Sequence, residues 1–276
     1  MTAVGRLNFI FFGSLFPLTL QRDSAFGFPS HNDNENVIPK AFFMKPRVAI
    51  LIDGGFFLKR YNHLYVGGEG HSAEMIAKNI CRAAIRHVPA DYELYRIFYY
   101  DCFPSGKRVQ NPISKKSIDF SKTEIYQQRL ALFEELKKKR KLALRLGRIK
   151  DSGNWQIYPS KVKALLKGEI NFGHITGDDI FYEMRQKGID MKIGVDIATL
   201  ALKKQVNQIV LISGDEDFVP AAKLARREGI DFILDPLWNP VDDNLFEHVD
   251  GLHSTSPKPQ QKRPLKKTAE TSSETP

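Results

Sequence analysis

Residues 208–236, QIVLISGDEDFVPAAKLARREGIDFILDP, contain a complete strand–helix–strand pattern. Gln208–Ile212 is a short and nearly all-apolar run, which predicts a strand buried on both faces. Glu216–Glu228 has helical apolar spacing and stops at Gly229, a residue that favours the left-handed conformation just after a helix. Ile230–Leu234 predicts the next strand. The segment therefore predicts a right-handed βαβ unit within a parallel sheet.

The same alternation of strand-like and helix-like segments extends toward the N-terminus. Apolar runs predict further strands at Arg47–Ile52, Tyr95–Tyr100 and Leu142–Ile149, with Trp155–Tyr158 as a short hairpin partner. Helical spacing predicts helices at Ser72–His87, Thr123–Lys139 and Met191–Lys204. Strands that alternate with helices favour a mainly parallel sheet covered on both faces, which is an α/β fold class.

The composition excludes several classes of protein. The chain has 276 residues, of which 42% are hydrophobic and 26% charged, so it is neither wholly disordered nor collagen-like. Its two cysteines, Cys81 and Cys102, exclude a disulfide framework and a Cys-rich zinc site, and they favour a reducing, cytoplasmic location. No apolar run reaches the roughly 18–20 residues that span a bilayer, so we expect no membrane partner.

Charge is distributed unevenly along the chain. The total of 41 Lys+Arg against 32 Asp+Glu gives a net charge of +9. Residues 107–150 alone hold 14 basic and four acidic residues, a net charge of +10. Such a segment is either a solvated helix face or a surface that attracts a polyanion such as RNA.

Three regions follow from these patterns. Residues 1–43 form an N-terminal extension that is expected to be disordered or not native, although a signal peptide is an alternative for its apolar stretch at 8–20. Residues 44–253 form the folded domain, with a basic insertion at 103–150. Residues 254–276, rich in Ser, Thr, Pro and Lys, predict a disordered basic tail.

Acidic residues follow the predicted strands. Asp53, Asp101 and Asp215 each come directly after or close to the end of a strand, and Asp217 lies two residues beyond Asp215. Because ligands of open parallel sheets bind beyond the carboxyl ends of the strands, we expect these side chains to converge. Asp196 belongs to an apolar helix, where an unpaired carboxylate is costly, so we expect it to project toward the same edge.

Each acid also has a purely structural interpretation. Asp215 or Asp217 is suited to capping the following helix, and Asp53 to accepting hydrogen bonds from the turn amides of Gly54 and Gly55. Asp190 is suited to the N-cap of the helix that contains Asp196, and six residues of helical rotation would put the two on different faces. Carboxylates that do converge repel one another, which a cation relieves. Oxygen ligands without His or Cys favour Mg²⁺ or Mn²⁺, and such ions support phosphodiester hydrolysis.

Three blocks of sequence resemble a known family. They are ILIDGGFF at 50–57, KGIDMKIGVDIATLAL at 187–202 and VLISGDEDFVPAAKLARREGI at 210–230. Together they resemble the NYN domain of the PIN-like nuclease superfamily, in its LabA-like bacterial branch, over roughly residues 46–236. The last block is the most specific of the three.

The resemblance implies a Rossmann-like three-layer α/β/α sandwich and an Mg²⁺- or Mn²⁺-dependent ribonuclease that leaves a 5′-phosphate. It implies that Asp53, Asp196 and Asp215 bind the metal with Asp217 beside them, and that Asp190 and Asp101 are candidates of second rank. Ser213 matches the small polar residue before the acidic pair. The first block departs from the family in reading Asp-Gly-Gly-Phe, so the polar residue that usually follows is missing.

RNA is the expected partner, and a homodimer is a further possibility. Within the insertion, the long basic stretch at 103–122 is a candidate for gripping the substrate. The candidate substrate-binding residues are Asn62, Ser213, Lys107, Arg108, Lys115 and Lys116.

Two other interpretations remain open at the level of sequence. A non-catalytic RNA-binding or regulatory module with the same fold would explain the basic segment and the acids equally. A phosphatase or toprim-type enzyme fits less well, because a haloacid-type phosphatase needs its paired aspartates after the first strand, where this chain has Asp53-Gly54-Gly55.

Overall fold

The structure, a computed structural model, describes residues 45–259. The predicted extension at 1–43 and the part of the predicted tail from 260 onward lie outside the described residues. Among the described helices, none is both long and apolar enough to cross a membrane.

A seven-stranded sheet forms the centre of the domain, with the strand order β6-β5-β2-β1-β7-β8-β9. All neighbouring pairs are parallel except β5–β6, which is antiparallel. A separate two-stranded hairpin consists of β3 and β4. The strands are β1 Arg47–Asp53, β2 Glu93–Cys102, β3 Arg108–Gln110, β4 Ser117–Asp119, β5 Leu142–Ile157, β6 Ile180–Lys187, β7 Gln208–Ile212, β8 Asp231–Asp235 and β9 Gly251–Leu252.

Helices cover both faces of this sheet. Alternate residues of β1 explain why: Val48, Ile50 and Ile52 enter the core on one side, while Ala49 and Leu51 enter the core on the other. The first core is shared with α1, α2 and α3, and the second with α5, α6 and α7. The helices are α1 Gly54–Leu64, α2 Ala73–Ile85, α3 Glu124–Lys137, α4 Pro159–Leu166, α5 Ile189–Leu202, α6 Val219–Arg227 and α7 Asp243–Phe246. The predicted α/β three-layer architecture is confirmed.

The turn between β1 and α1 is tighter than the sequence suggests. Helix α1 begins directly at Gly54, and Asp53 caps it by accepting a hydrogen bond from the backbone N–H of Phe56. A Cβ atom on Gly54 would lie 2.5 Å from Cζ of Tyr99 and 2.6 Å from the carbonyl oxygen of Tyr100. Only glycine allows the helix to start so close to β2, and this contact fixes Asp53 at the sheet edge.

Strand β5 is much longer than predicted. Its first part, from Leu142 to Gly147, pairs in parallel with β2. It then continues beyond the parallel sheet and pairs antiparallel with β6 as far as Ile157, which lies opposite Ile180. Trp155 is therefore part of β5 itself, and the predicted separate hairpin partner at Trp155–Tyr158 is wrong. We refer to the antiparallel part of β5 together with β6 as the arm.

The basic stretch at 103–122 is folded onto this arm. It contains the β3–β4 hairpin, whose turn is linked to the arm region by a hydrogen bond from Nδ2 of Asn111 to the carbonyl oxygen of Gly177, at 2.9 Å. The rings of Phe120 and Tyr182 lie 6.0 Å apart. Lys107 forms an ion pair with Asp151 of β5 and donates to the hydroxyl of Tyr182.

The start of the predicted tail packs on the domain. The hydroxyl of Thr255 donates to the carbonyl oxygen of Ala83 at 2.8 Å, and Ser256 is buried. The hydroxyl of Ser254 donates to Asp235, whose other carboxylate oxygen contacts the buried ring of His87. The boundary at residue 254 was wrong because a low apolar content does not exclude hydrogen bonds to the core.

Candidate functional site

A hollow lined by acidic side chains opens where β1 and β7 end. These strands are adjacent in the sheet, and the strand order runs away from them in both directions, so the crevice lies at the topological switch point of the fold. The hollow has a volume of about 570 Å³. Five acids and a single base line it: Asp53, Asp190, Asp215, Glu216, Asp242 and Lys59. We refer to it as the acidic hollow.

Two of these acids are oriented by the helices that follow them. Asp53 accepts the backbone N–H of Phe56 at 3.0 Å, and Asp215 accepts the backbone N–H of Asp217 at 3.0 Å. In both cases the acceptor is Oδ1. The capping interpretation is correct for Asp215, whereas Asp53 accepts from Phe56 and caps α1 in place of the expected bonds from Gly54 and Gly55. In both residues the second carboxylate oxygen is left for a ligand.

Asp190 supplies the third carboxylate. It lies in the first turn of α5, where Gly188 rather than Asp190 holds the N-cap position, so the predicted cap is wrong. The N-terminus of α5 reaches the same sheet edge as Asp53 and Asp215. Asp190 is thus a candidate of second rank that the fold brings into the hollow.

The negative charges of the acids in the hollow repel one another. Partial burial raises the pKa of Asp190 above its ordinary value of 3.8, and the nearby charges of Asp215 and Asp217 raise it further. Burial likewise raises the pKa of Asp53, with the N–H of Phe56 acting in the opposite direction and the charge of Asp190 adding to the rise. Among the described residues, none of the ion pairs involves Asp53, Asp190 or Asp215.

Ser213 is the second unusual feature of the hollow. It is fully buried, and its hydroxyl has no hydrogen-bond partner within the described part of the chain. A buried hydroxyl without a partner costs free energy, and such an atom at a cleft indicates a missing ligand or water. The next residue, Gly214, leaves room for the ring of Phe56, since a Cβ there would lie 2.9 Å from Cε2 of that ring.

Gln186 is a site residue that the sequence analysis missed. It belongs to β6, an element that was not predicted, and its side chain lines the hollow. Its Oε1 atom would lie 3.1 Å from a Cβ placed on Gly55, and Asp53 Oδ1 would lie 3.3 Å from the same position. The residue precedes the KGID block by one position, but that pattern alone carries no signal for an amide ligand.

The structure does not bring Asp196 into the hollow, which corrects the predicted grouping. Six residues along α5 correspond to a rise of about 9 Å, so Asp196 lies below the edge that Asp190 occupies. Its Oδ2 atom accepts the hydroxyl of Tyr100 at 2.7 Å and Nε of Arg145 at 3.0 Å. The cost of an acid in an apolar helix is met by these two partners, and a metal is not required.

Two other predicted acids lie beside the hollow without lining it. Asp101 is 1% exposed, and it is paired with Arg129 on α3 and hydrogen-bonded to the backbone N–H of Cys102. Asp217 is exposed at the start of the turn before α6, close enough to raise the pKa of Asp190.

Of the predicted substrate-binding residues, one lines the hollow and the others lie elsewhere. Ser213 lines the hollow, whereas Asn62 lines a separate cavity between α1 and α3. Lys107 is engaged with Asp151 on the arm. The remaining three, Arg108, Lys115 and Lys116, are exposed on or beside the β3–β4 hairpin.

A divalent cation fits the chemistry of this site. The available donors are carboxylate oxygens, the unpartnered Ser213 hydroxyl and the Gln186 amide, all of which suit Mg²⁺ or Mn²⁺. In residues 45–259, however, no group of three or more His, Cys, Asp or Glu side chains is arranged to hold a metal ion. The donor set therefore fits, and the acids interact through their charges without forming a closed cluster.

Comparison with known proteins gives one family match. Residues 131–236 match the NYN domain family. The matched segment contains Asp190, Ser213 and Asp215, whereas Asp53 lies outside it. The mainly parallel seven-stranded sheet with helices on both faces agrees with the PIN-like fold of that family.

Two further comparisons are less informative. No curated protein matches the chain. Among solved structures, the chain is similar to a protein of unknown function from Vibrio parahaemolyticus, with 16% identity and a TM-score of 0.37. That match covers 75% of this chain and 91% of the other.

Proposed function

We propose that this protein is a divalent-metal-dependent ribonuclease that hydrolyses RNA phosphodiester bonds at the acidic hollow. The observation that carries the proposal is the convergence of Asp53, Asp190 and Asp215 from three distant segments on one hollow that also contains the unpartnered Ser213 hydroxyl. The pKa values of Asp53 and Asp190 are raised, and acids with raised pKa values that converge in a cleft are typical of a functional site. The NYN match of residues 131–236 supports a nuclease in general.

Asp53, Asp190 and Asp215 would hold the cation, with Asp217 assisting from the rim. A bound Mg²⁺ or Mn²⁺ would neutralise the scissile phosphate and lower the pKa of a water molecule. The protein itself orients the carboxylates, because backbone N–H groups fix one oxygen each of Asp53 and Asp215. Lys59 provides the positive charge that attracts a phosphate, and Ser213 and Gln186 provide hydrogen bonds to substrate or water.

The basic insertion would bind the rest of the substrate. Arg108, Lys115 and Lys116 are exposed, so they are free to contact phosphates along an RNA strand. Lys107 has a different role, since its charge is matched by Asp151 and it fastens the hairpin to the arm. RNA as the substrate and membership of the LabA-like bacterial branch are part of this proposal, supported by the resemblance of the three sequence blocks to that branch. A cytoplasmic location and a homodimer remain predictions.

The test is degradation of single-stranded RNA, structured RNA and single-stranded DNA by the purified chain with Mn²⁺, Mg²⁺ or EDTA. We expect metal-dependent cleavage of RNA that is lost in Asp53→Asn and Asp215→Asn. Asparagine is also a good N-cap, so both variants keep their helix starts. Asp178→Asn, at an exposed acid outside the hollow, is the matched control and is expected to retain activity. Full activity of both hollow variants would contradict the proposal.

A non-catalytic RNA-binding module is the second candidate. One observation favours it: the carboxylates of the described residues form no closed metal-binding group. Under this alternative the protein binds RNA, no cleavage appears with Mn²⁺, and binding is insensitive to Asp215→Asn. The cleavage assay therefore separates the two candidates.

A further inference from the structure

A second cavity adjoins the acidic hollow and has a different character. It lies between the end of β2, the start of α3 and the part of the arm next to the parallel sheet, with a volume of about 280 Å³. That volume is close to the lower end of the range for small-ligand sites, about 300 Å³. Its apolar wall is formed by Phe120, Tyr126, Ile149 and Met184. We refer to it as the Arg129 cavity.

One polar group in this cavity has spare hydrogen-bonding capacity. Within the described residues, Arg129 donates one hydrogen bond, from Nη1 to the carboxylate of Asp101. A guanidinium group has five N–H donors, and those that do not bind Asp101 are available to the two cavities that Arg129 lines, this one and the one that contains Asn62. The carboxylate of Asp101 is already used by Arg129, by the N–H of Cys102 and by the hydroxyl of Tyr99. The cavity therefore offers a ligand hydrogen-bond donors and an apolar, partly aromatic wall.

The Arg129 cavity and the acidic hollow are neighbours. Gln186 lines both of them, and its amide lies beside Gly55 at the start of α1. A polymer that places one unit in the hollow can therefore place the adjoining unit in the cavity. The ligand must be flat and apolar on its faces, and it must carry hydrogen-bond acceptors at its edge.

We propose that the Arg129 cavity holds one nucleobase of a single-stranded RNA whose adjoining phosphate lies at the acidic hollow. This inference rests on the proposed function and adds the substrate class: the strand is unpaired, because a base within a duplex cannot enter a side cavity without leaving its stack. The N–H donors of Arg129 favour the bases with carbonyl acceptors, which are guanine, uracil and cytosine, over adenine, which has none. Phe120 and Tyr126 supply the aromatic surface.

Binding without cleavage gives the direct test. In EDTA, fluorescence anisotropy would compare the full chain with a short oligouridine, an oligoadenosine and an abasic strand of the same length. Stacking of one base contributes about 1–3 kcal/mol, so we expect the oligouridine to bind at least about fivefold more tightly than the abasic strand. We also expect oligouridine to bind more tightly than oligoadenosine.

Filling the cavity should remove this preference. Met184→Trp places a large ring in the cavity, and Tyr126→Leu keeps an apolar side chain while it removes the aromatic ring. Both should reduce the difference between oligouridine and the abasic strand to less than about twofold, against the stacking contribution expected for an intact site. Val162→Trp, at an exposed position on α4, is the control for an added indole and should keep the preference. Melting curves establish that each variant is folded.

The outcomes separate this inference from the proposed function. Equal affinity for oligouridine and the abasic strand overturns the cavity assignment, even if the protein cleaves RNA. A preference that survives in folded Met184→Trp overturns it as well. A preference for oligouridine that Met184→Trp abolishes supports the assignment, even if no cleavage occurs with Mn²⁺; in that case the ribonuclease proposal alone fails.

Discussion

The first turn and the middle of helix α5 place aspartates in opposite surroundings. Asp196, in the middle, accepts hydrogen bonds from Tyr100 and Arg145. Asp190, in the first turn, has acids as its charged neighbours and a raised pKa. Helix α5 therefore carries one acid, Asp196, whose charge is compensated by protein groups. Its other acid, Asp190, has no such partner among the described residues and is available to a cation. The comparison teaches that the position of an acid relative to the sheet edge, and not its presence in an apolar helix, indicates a ligand.

Cleavage should show the largest difference between the two acids. We expect Asp190→Asn to lower the rate of RNA cleavage by at least about 100-fold, because loss of a ligand should cost at least as much as loss of a group that merely supports one, about 10–100-fold. Asp196→Asn keeps its neighbours and lies outside the hollow, so its rate should stay within about threefold of the native rate.

The assay uses a single-stranded RNA at saturating Mn²⁺. Similar rates for the two variants would remove the functional distinction between the two parts of α5.

The free energy of unfolding should depend more on Asp196 than on Asp190. Asp196→Ala leaves the hydroxyl of the buried Tyr100 without its partner, so we expect a loss of about 1–3 kcal/mol in the free energy of unfolding. Urea denaturation in EDTA measures it. Tyr100→Phe in the Asp196→Ala background should recover part of the loss, and a cost below about 0.3 kcal/mol would show that the pair contributes little.

The sequence predicts the central strands of the sheet better than it predicts helix α1. The strand at Gln208–Ile212 is predicted with its observed bounds because four consecutive apolar residues, 209–212, lie between the polar residues Gln208 and Ser213. Helix α1 was not predicted because two glycines and a mixture of aromatic and basic residues hide its helical spacing. The close approach of its first residue, Gly54, to Tyr99 and Tyr100 of β2 is a tertiary contact that the sequence does not show.

The residues of the candidate site were likewise predicted only in part. Asp53 and Asp215 were identified because each follows an apolar strand. The sequence favours Asp196 over Asp190 because the family resemblance places Asp196 among the metal ligands and a carboxylate in an apolar helix is costly. Nothing in the sequence indicates that Arg145, 51 residues away, offsets that cost. Gln186 and the long arm were missed because strand β6 is polar at its C-terminal end and has no clear alternation.

A smaller effect is expected for Asp190 on stability. Without a divalent cation, Asp190→Asn removes repulsion with Asp215 and Asp217, so the free energy of unfolding should increase by a few tenths to about 1 kcal/mol. Thermal melting in EDTA is the measurement, with Asp178→Asn as the control for loss of one surface charge. Destabilisation by Asp190→Asn would mean that the charge is already compensated within the protein.

The smallest effect concerns pH. Because the pKa values of Asp53 and Asp190 are raised in the folded state, the folded protein binds more protons than the unfolded chain just above the ordinary carboxyl pKa of 3.8. The hollow's contribution to stability therefore falls as the pH rises through the raised pKa values. In EDTA, the gain in stability from Asp190→Asn should grow between about pH 4 and about pH 7. A gain that stays constant over this interval would contradict the assigned pKa directions.

The most direct test of the acidic hollow is calorimetric titration of the purified protein with Mn²⁺. The account predicts saturable binding to the native chain, at least about tenfold weaker binding to Asp190→Asn, and unchanged binding to Asp196→Asn. Absence of binding to the native chain, or equal affinity in the native protein and Asp190→Asn, would contradict it.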